Sequence, residues 1–408
     1  MTRVLYVNTR YQGGGAERVT RQLYEGIGAE GVESRMIVGT EDQADDRYEI
    51  IYESGPRVRW NWLYGKLTMN ARLHDRYAAG KILAAIEREH IDLVHLHNTH
   101  GNYMGIRDVR EIAARCPVVW TLHDMWSFTG HCAYAGDCDH WRTQGCARCQ
   151  NLSMFPRLYI DRAAAIRRQK EKYFTGGGIT FVTPSQWLYR LACQSFLGQE
   201  EIRMIHNGVN TGVFRPGSKE ALREKYGIRT GKRVLLFLAN ELRNVMKGFV
   251  YLAQALRLLE HKEDYLLMIV GRTAEIPDIC QMYEVKSFGY VKEMEKLREI
   301  YAMADLFLLP SMLENYPCVT LEAMACGTPV AAFDTGGIPE QVDEETGWLV
   351  ERGNADALAE TIQLACRDPE LLKKKGEKAR EKAEQCFSEE KMLREYRMLY
   401  DEILSRTG

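Results

Sequence analysis

Short apolar runs of strand-like composition recur along the first half of the chain, and amphipathic segments of helical period separate them. A segment such as KILAAIEREH repeats its apolar residues at the spacing of a helix that packs on one face. The predicted strands of this half are RVLYVNT (3–9), SRMIVGT (34–40), IDLVHLHNT (91–99), CPVVWTLHD (116–124) and GITFVTPS (178–185). Buried-type strands that alternate with helices predict a parallel sheet covered by helices on both faces.

The same alternation starts again after IRMIHNGVNTGVFRP (202–216), whose Gly and Pro residues are typical of a linker. A last amphipathic segment, SEEKMLREYRMLYDEIL, predicts a C-terminal helix with Ser388 as its N-cap. We therefore predict two Rossmann-like α/β domains, 1–205 and 206–387, followed by a helix within 388–408. The predicted strands of the second domain are KRVLLFLAN (232–240), YLLMIVG (265–271), ADLFLLPS (304–311) and PVAAFD (329–334).

Chain length agrees with this division, because 408 residues are too many for one ordinary domain and fit two. Ligands of open parallel sheets bind outside the carboxyl ends of the strands. We therefore expect the strand-end loops of the two domains to face a shared cleft. The residues that act on a ligand should lie on those loops.

Charge and hydropathy exclude several classes of function. The formal net charge of −2 provides no electrostatic field for binding nucleic acid. No window approaches the roughly 20 apolar residues of a membrane span, and MTRVLYVNTR lacks the features of a signal peptide. We therefore expect a cytoplasmic protein whose eleven cysteines are thiols or metal ligands rather than disulfides.

The stretch SMLENYPCVTLEAMACGTPV (311–330) places one carboxylate in a loop and a second inside the following helix. Gly327 and Pro329 end the run of good helix formers. The start of a helix presents N–H groups and partial positive charge, which suit phosphate or sugar hydroxyls. Glu314 can then accept hydrogen bonds from a sugar, and Glu322 from the hydroxyl pair of a ribose. The simpler interpretation leaves Glu314 solvated and gives Glu322 only an interaction with the helix dipole.

Three further stretches place candidate ligand groups at predicted strand ends. Lys247 and Gly248 lie between a strand and a helix, where a lysine can reach a diphosphate as a point charge, and Arg243 can add a second cation. A single surface lysine is nevertheless usually solvated. His123 follows a strand, and at a cleft it is a candidate hydrogen-bond partner for a reacting sugar, although a lone histidine is more often structural. The glycines of YQGGGAER (11–18) permit close approach of a ligand, but they do not form the G-x-G-x-x-G pattern of a dinucleotide site.

Together these stretches resemble the retaining glycosyltransferases of family 4, which have the GT-B fold. The resemblance spans nearly the whole chain and rests on GGGAE, TLHD, HNGVNTGVF, the KG pair at 247–248 and ENYPCVTLEAMACGTPVAA, of which the last is the most specific. It implies two Rossmann-like domains whose parallel sheets face each other across a cleft, with the C-terminal helix crossing back onto the N-terminal domain. Enzymes of this type serve in capsule and exopolysaccharide assembly.

The resemblance also implies roles for individual residues. Lys247 and a nearby arginine would bind the donor diphosphate, and Glu322 would hold the ribose. Glu314 would contact the transferred sugar, and His123 would bond that sugar from the N-terminal domain. Backbone N–H groups that would assist Glu314 belong to Asn315, Tyr316, Cys318 and Val319, and the glycines that would let the first loop close on the diphosphate are Gly14 and Gly15. The family commonly has its arginine five residues before the lysine, where this chain has Leu242; Arg243 lies one place later.

The implied reaction moves a hexose-type sugar from a UDP- or GDP-linked donor to a glycan or a polyprenyl-diphosphate-linked sugar. Attack on the same face as the leaving diphosphate would retain the anomeric configuration, and no catalytic metal is expected. Two other classes of function fit parts of the pattern. One is a GT-B nucleotide-sugar epimerase or hydrolase that needs no acceptor, and the other is an inactive binding or assembly protein.

A polar loop, GHCAYAGDCDHWRTQGCARCQ (130–150), follows His123 and contains four cysteines spaced C-x5-C-x7-C-x2-C. A closed tetrahedral zinc site would stabilise this loop, which has little apolar content. Free thiols explain the pattern equally well, and a disulfide pair explains it less well in a cytoplasmic protein. The candidate ligands are Cys132, Cys138, Cys146 and Cys149, with His131 and His140 as alternatives.

The stretch PRVRWNWLYGKLTMNARLHDRY (56–77) mixes basic with aromatic residues, which is the composition of a segment that lies on a membrane surface. An ordinary helix that packs its aromatic side chains inside gives the same pattern and is slightly favoured. Contact with lipid would indicate a peripheral location on the inner face of the cytoplasmic membrane and a lipid-linked acceptor.

Overall fold

The computed structural model describes residues 2–41, 45–52, 77–101, 103–228, 231–241, 244–272 and 278–406. The chain forms two compact units, each built around a parallel sheet, as the alternation of predicted strands and helices indicates. The N-terminal unit comprises Met1–His206 and Met392–Gly408, and the C-terminal unit comprises Asn207–Lys391.

In the part of the chain that the structure describes, the N-terminal sheet has seven strands: β1 (Thr2–Asn8), β2 (Val32–Val38), β3 (Glu49–Ile50), β4 (Leu93–Leu96), β5 (Val118–Thr121), β6 (Ile179–Thr183) and β7 (Ile202–Met204). They lie in the order β3-β2-β1-β4-β5-β6-β7, and every pairing is parallel. The helices among the described residues of this unit are α1 (Gly15–Gly26), α2 (Tyr77–Glu89), α3 (Ile106–Ala113), α4 (His140–Thr143), α5 (Ala163–Phe174) and α6 (Gln186–Cys193). All residues of β4, β5 and β6 are buried, because helices cover both faces of the sheet.

Six strands of the C-terminal sheet lie within the described ranges: β8 (Arg233–Glu241), β9 (Tyr265–Arg272), β10 (Glu284–Gly289), β11 (Leu306–Leu309), β12 (Val330–Phe333) and β13 (Gly347–Val350). They lie in the order β10-β9-β8-β11-β12-β13 and pair only in parallel. Its helices are α7 (Lys219–Lys225), α8 (Phe249–Leu258), α9 (Met294–Met303), α10 (Cys318–Ala325), α11 (Ile338–Gln341), α12 (Ala355–Arg367) and α13 (Pro369–Cys386). Two apolar clusters cover its two faces.

Both sheets have a switch point, where the chain order reverses beside one strand. β1 lies between β2 and β4, and β8 lies between β9 and β11. Loops that leave adjacent strands at such a point diverge and leave a crevice at the carboxyl ends of the strands. The loops after β1 and β4 therefore frame one candidate site, and the loops after β8 and β11 frame another.

The last helix, α14 (Glu389–Ser405), packs on the N-terminal sheet although it ends the chain. The Tyr400 hydroxyl lies 2.7 Å from His95 Nδ1 and 3.1 Å from the Tyr6 hydroxyl, and all three side chains are buried. The Tyr396 hydroxyl lies 2.8 Å from Thr121 Oγ1. A buried polar network therefore fixes this helix against β1, β4 and β5.

Local details of the fold differ from the predicted pattern in four strands. The segment predicted as a linker begins with β7, and β3, β10 and β13 were not predicted. β3 has only two residues, and β10 (EVKSFG) is an edge strand without buried residues, so neither carries a strong apolar signal. Ser388 caps α14 as predicted, since its Oγ accepts a hydrogen bond from the Lys391 N–H at 3.3 Å.

Candidate active site

At the carboxyl end of the C-terminal sheet, the loop after β8 lies directly against the loop after β11. The Met312 N–H donates to the Met246 carbonyl at 2.9 Å. Gly248 has a φ of +70°, and a Cβ there would lie 1.6 Å from the Pro310 carbonyl oxygen, so only glycine fits. This backbone contact brings Lys247 next to the second loop.

Lys247 and Glu314 form an ion pair in which Nζ and Oε1 are 2.6 Å apart. The lysine side chain is 32% exposed, whereas that of the glutamate is 9% exposed. The lysine ends a short 3-10 turn, Val245–Lys247, whose N-cap Asn244 accepts a hydrogen bond from the Met246 N–H at 3.0 Å. Lys247 is therefore accessible to an incoming anion, whereas the protein holds the Glu314 carboxylate in place.

The loop after β12 supports the Glu314 segment. Gly336 has a φ of +60°, and a Cβ there would lie 1.7 Å from the Glu314 carbonyl oxygen. The Gly337 N–H donates to the Asn315 carbonyl at 2.8 Å, and Thr335 Oγ1 donates to a neighbouring carbonyl at 3.1 Å. Sequence reasoning missed these residues, although TGG directly after a predicted strand is a signal of close backbone approach.

Helix α10 begins at Cys318 behind Pro317, its N-cap. Two side-chain amides hold the backbone before it, because Asn207 Nδ2 donates to the Tyr316 carbonyl and Gln341 Nε2 to the Pro317 carbonyl, each at 3.2 Å. The structure therefore fixes the orientation of the predicted N–H donors. Of the four residues that carry them, Asn315, Tyr316 and Cys318 are buried and Val319 is half-buried.

Glu322 lies inside α10 and is only 2% exposed. The Tyr301 hydroxyl donates a hydrogen bond to Glu322 Oε2 at 3.1 Å. Tyr301 comes from α9 and was not predicted, since nothing in the sequence pairs it with a glutamate in the next helix. The carboxylate predicted to hold a ribose is thus oriented by a buried hydroxyl.

In the N-terminal unit, His123 lies in the loop after β5 beside His97, from the loop after β4. His97 Nδ1 and His123 Nε2 are 2.9 Å apart, and the two rings stack with centroids 5.2 Å apart. His123 is half-buried, and the surrounding protein desolvates its ring and lowers the pKa of His123 to about 4. Burial also lowers the pKa of His97 well below its usual range. Both imidazoles are therefore neutral at pH 7 and act as hydrogen-bonding groups rather than as cations.

The same two loops also contain a pair formed by a histidine and a carboxylate. His100 Nε2 and Asp124 Oδ2 are 2.9 Å apart. Burial raises the pKa of Asp124, but the charge of His100 and hydrogen bonds from its ring and from a backbone N–H outweigh burial and lower that pKa overall. Sequence reasoning missed His97 and His100, although HLHNTH (95–100) at the end of a predicted strand signalled them.

The glycine loop after β1 leads directly into α1. The Gly14 N–H donates to Glu17 Oε2 at 2.8 Å, and a Cβ on Gly13 would lie 2.9 Å from the Glu17 side chain. Gly14 is the N-cap and Gly15 the first residue of α1. An anion that approaches these N–H groups would therefore first displace the Glu17 carboxylate.

Two features singled out in the sequence lie outside the described residues. One is Arg243 with its neighbour Leu242, and the other is the basic and aromatic stretch 56–76. Among the residues that the structure does describe, none of the helices has both the length and the apolar character needed to cross a membrane.

The four candidate zinc ligands in loop 130–150 line one cavity, to which His131 and His140 also contribute. No disulfide joins the cysteines that the structure describes. Burial raises the pKa of Cys132 to about 12, and the three other thiols of the loop act in the same direction. Across the described ranges, no group of three or more His, Cys, Asp or Glu side chains lies in an arrangement that could hold a metal ion.

Both halves of the chain match sequence profiles of known families. Residues 13–213 match the profile described as Glycosyltransferase Family 4, and residues 218–382 match the one described as Glycosyl transferases group 1. The putative colanic acid biosynthesis glycosyl transferase WcaC of Escherichia coli K12 is 26% identical over 89% of this chain and 90% of its own length. The N-acetyl-alpha-D-glucosaminyl L-malate synthase of Bacillus anthracis is 26% identical over 93% of this chain and 96% of its own.

Solved structures resemble the chain over its whole length. Sucrose-phosphate synthase from Thermosynechococcus elongatus superposes with a TM-score of 0.76 at 19% identity and covers 100% of both chains. HepE from Anabaena, solved in complex with UDP-glucose, superposes with a TM-score of 0.68 at 17% identity, again over 100% of both chains. At these identities the likeness shows the fold alone.

Proposed function

This chain is a glycosyltransferase that belongs to family 4 and has the GT-B fold of two Rossmann-like domains, and we propose that it is a retaining hexosyltransferase that uses a nucleotide-sugar donor. The proposed acceptor is a glycan or a polyprenyl-diphosphate-linked sugar. The observation that supports the proposal most strongly is the Lys247–Glu314 ion pair at the switch point of the C-terminal sheet.

That pair matches the two ends of a sugar diphosphate. A diphosphate can replace Glu314 as the partner of Lys247, and a sugar hydroxyl can replace Lys247 as the partner of Glu314. A bound donor would therefore replace this ion pair with two contacts: an ion pair between Lys247 and the diphosphate, and a hydrogen bond from a sugar hydroxyl to Glu314. Neither side chain would be left without a partner. Arg243 is proposed as a second cation for the diphosphate.

The remaining residues of this segment complete the donor contacts in our proposal. Glu322, already oriented by Tyr301, accepts hydrogen bonds from the ribose. Backbone N–H groups at the start of α10 assist Glu314 at the transferred sugar; they belong to Asn315, Tyr316, Cys318 and Val319. The UDP-glucose complex of HepE, which shares the fold, supports a UDP-linked hexose as the first donor to test, with GDP-linked sugars as the alternative.

The proposed chemistry is attack from the face of the leaving group. The bond from the anomeric carbon to the diphosphate oxygen breaks, the bond to the acceptor oxygen forms on the same face, and the acceptor proton passes to the diphosphate oxygen. Lys247 stabilises the negative charge that develops on the diphosphate, so the step needs no divalent metal. His123, neutral at pH 7, hydrogen-bonds the donor sugar, and Gly14 and Gly15 approach the diphosphate once Glu17 has moved aside.

Names of relatives bear on the acceptor. The relative named for colanic acid biosynthesis favours a glycan or lipid-linked acceptor. The relative named as an L-malate synthase favours a small hydroxy acid as the alternative. A lipid-linked acceptor would bring the enzyme to a membrane surface, and the basic and aromatic composition of 56–77 supports that location.

An acceptor-dependent transfer assay tests this function. The full chain is incubated with UDP- and GDP-hexoses and, in turn, with an oligosaccharide, a polyprenyl-diphosphate-linked sugar and malate. Proton NMR of the product then gives its anomeric configuration. We expect transfer that requires an acceptor, retains the donor configuration and does not respond to added Mg²⁺ or Mn²⁺. Free epimerised or hydrolysed sugar without any acceptor product would instead identify an epimerase or hydrolase, and no turnover with any donor would identify a binding protein.

A further inference from the structure

The cysteine loop, residues 130–150, has no part in the function proposed above, yet its donor atoms share one cavity. The cavity is lined by Cys132, Cys138, Cys146, Cys149 and His131. Three of these thiols also pack against the apolar core of the N-terminal unit. The cavity therefore lies against the core of the N-terminal unit.

His131 directs one ring nitrogen at two sulfurs. Its Nδ1 lies 2.8 Å from the Pro156 carbonyl oxygen, which can only accept a hydrogen bond, so Nδ1 carries a proton. Its Nε2 lies 3.5 Å from the Sγ of Cys132 and 3.5 Å from the Sγ of Cys149. Histidines that bind metals have this arrangement, in which a carbonyl holds one N–H and the other nitrogen faces the metal.

The spacing of these atoms fits a tetrahedral zinc ion. With Zn–N of about 2.05 Å and Zn–S of about 2.3 Å, the tetrahedral angle places a ligand nitrogen and a ligand sulfur about 3.5 Å apart. A single N···S hydrogen bond can have the same length. However, the one lone pair of a neutral Nε2 can accept only one S–H in line, whereas two sulfurs lie at equal distance from it here.

Backbone N–H groups are directed at two of the sulfurs. The Gly130 N–H donates to Cys146 Sγ at 3.1 Å, and the backbone of Asn151 hydrogen-bonds the Cys149 sulfur. Hydrogen bonds from the surrounding protein orient the groups that ligate a metal.

We infer that the cysteine loop binds one structural zinc ion, with His131, Cys132 and Cys149 as three ligands and either Cys138 or Cys146 as the fourth. A closed set of thiolate and imidazole donors selects zinc over cations that prefer oxygen. As the side chains stand in the described structure, no group of three or more of these donors could hold a metal ion. A thiol reorients by rotation about the single Cα–Cβ bond, and we expect such rotations to close the shell around zinc.

Zinc would also stabilise the segment that follows His123. The Met125 N–H donates to the Ala133 carbonyl at 2.8 Å, and Thr129 Oγ1 donates to the Cys132 carbonyl at 2.6 Å. These bonds connect the cysteine loop to residues 125–129. Loss of the metal should therefore loosen this segment as well as the loop.

Metal analysis of the full chain, produced without a metal-binding tag, tests the inference. We expect the dialysed wild-type protein to retain about one zinc ion per chain. The C132S/C149S variant should retain less than about one-fifth of that amount. The C193S variant, which removes an exposed cysteine outside the loop, should retain the wild-type amount. Equal zinc in C132S/C149S and wild type would overturn the inference.

A measurement on the wild type alone keeps the test valid if C132S/C149S does not fold. Thiols of the native protein are titrated before and after a strong zinc chelator, while a zinc indicator follows release of the metal. We expect the chelator to release zinc and to expose about three additional reactive thiols together. A wild-type protein with less than about one-tenth of a zinc ion per chain would contradict the inference. A disulfide would contradict it too, and would show as fewer titratable thiols in the unfolded, unreduced chain than its eleven cysteines.

Discussion

The strand-end loops of the two units differ in the charge of their paired side chains. In the C-terminal unit, Lys247 and Glu314 are oppositely charged, and the cation is partly exposed. In the N-terminal unit, His97 and His123 lie at a similar distance from each other, but desolvation keeps both neutral. A charged pair exchanges partners with a charged ligand, whereas a neutral pair offers directional hydrogen bonds without attracting an anion. We therefore propose that the first pair recognises the charge of the donor and the second positions its sugar.

Replacing Glu314 should have the largest effect. Glu314→Gln keeps the shape but removes the charge that holds Lys247, and a contact made in the transition state is lost with it. We expect kcat/KM to fall by about 100- to 1,000-fold, as for other groups that stabilise a transition state electrostatically. The control is Glu284→Gln, which removes the carboxylate of a surface ion pair with Lys232. If both variants kept the wild-type kcat/KM, Glu314 would not contact the donor in the transition state.

Replacing His123 should have the next largest effect. His123→Ala removes a neutral hydrogen-bonding group, and we expect kcat to fall by about 100-fold with a smaller change in KM. The control is His261→Ala, since His261 lies exposed in the C-terminal unit. A loss of donor affinity with unchanged kcat would show instead that His123 contributes to recognition of the donor's charge. The proposed difference in role between the two pairs would then be wrong.

The neutral network of the N-terminal unit extends to α14, and Tyr400→Phe tests its contribution to stability. The substitution removes the hydroxyl that contacts both His95 and Tyr6, and leaves their buried polar atoms with fewer partners. We expect the free energy of unfolding to fall by about 2 kcal/mol in urea. The control Tyr159→Phe removes an exposed hydroxyl and should change stability little. Equal stability of both variants would mean that this network does not fix α14.

The smallest expected effect is the pH dependence of stability. Desolvation lowers the pKa of His123 to about 4. Between pH 6.5 and 4 its imidazole is therefore protonated in the unfolded chain but neutral in the folded state. The stabilisation from this group is thus complete above pH 6.5 and is lost as pH falls towards 4. His123 alone should lower the stability by about 1 kcal/mol at pH 5.5 relative to pH 7. His95 and His97, whose pKa values burial also lowers, act in the same direction. Tryptophan fluorescence in urea measures it, because every tryptophan except Trp348 lies in the N-terminal unit. The His123→Asn variant should lose this share of the dependence; an unchanged dependence would contradict the assignment.

The alternation of strands and helices was enough to predict two parallel α/β domains. Buried parallel strands are apolar throughout, and RVLYVNT, VVWTLHD and YLLMIVG show this directly. Strand order did not follow from the pattern, because it depends on crossovers that connect distant segments. For the same reason the contact of Lys247 with Glu314 was not predicted, although each residue was singled out: it arises only once β8 and β11 pair.

Supporting residues were the hardest to predict. Tyr301 and Gly336 act through tertiary contacts with residues of other elements, and no local spacing connects them to their partners. His97 and His100 lie in a strand-end pattern much like that of His123, so the sequence did contain a signal for them. Arg243, predicted beside Lys247, lies outside the described residues and stays a prediction.

The central claim is that Lys247 binds the diphosphate of the donor. Titration calorimetry of UDP with Lys247→Met tests it most directly, because this change removes the charge and keeps most of the side-chain stem. Lys232→Met is a matched control, since Lys232 has the same 32% side-chain exposure and also pairs with a glutamate. We expect the Kd for UDP to rise about 30-fold in Lys247→Met and to stay at the wild-type value in Lys232→Met. A Lys247→Met protein that binds UDP within about twofold of wild type would contradict it.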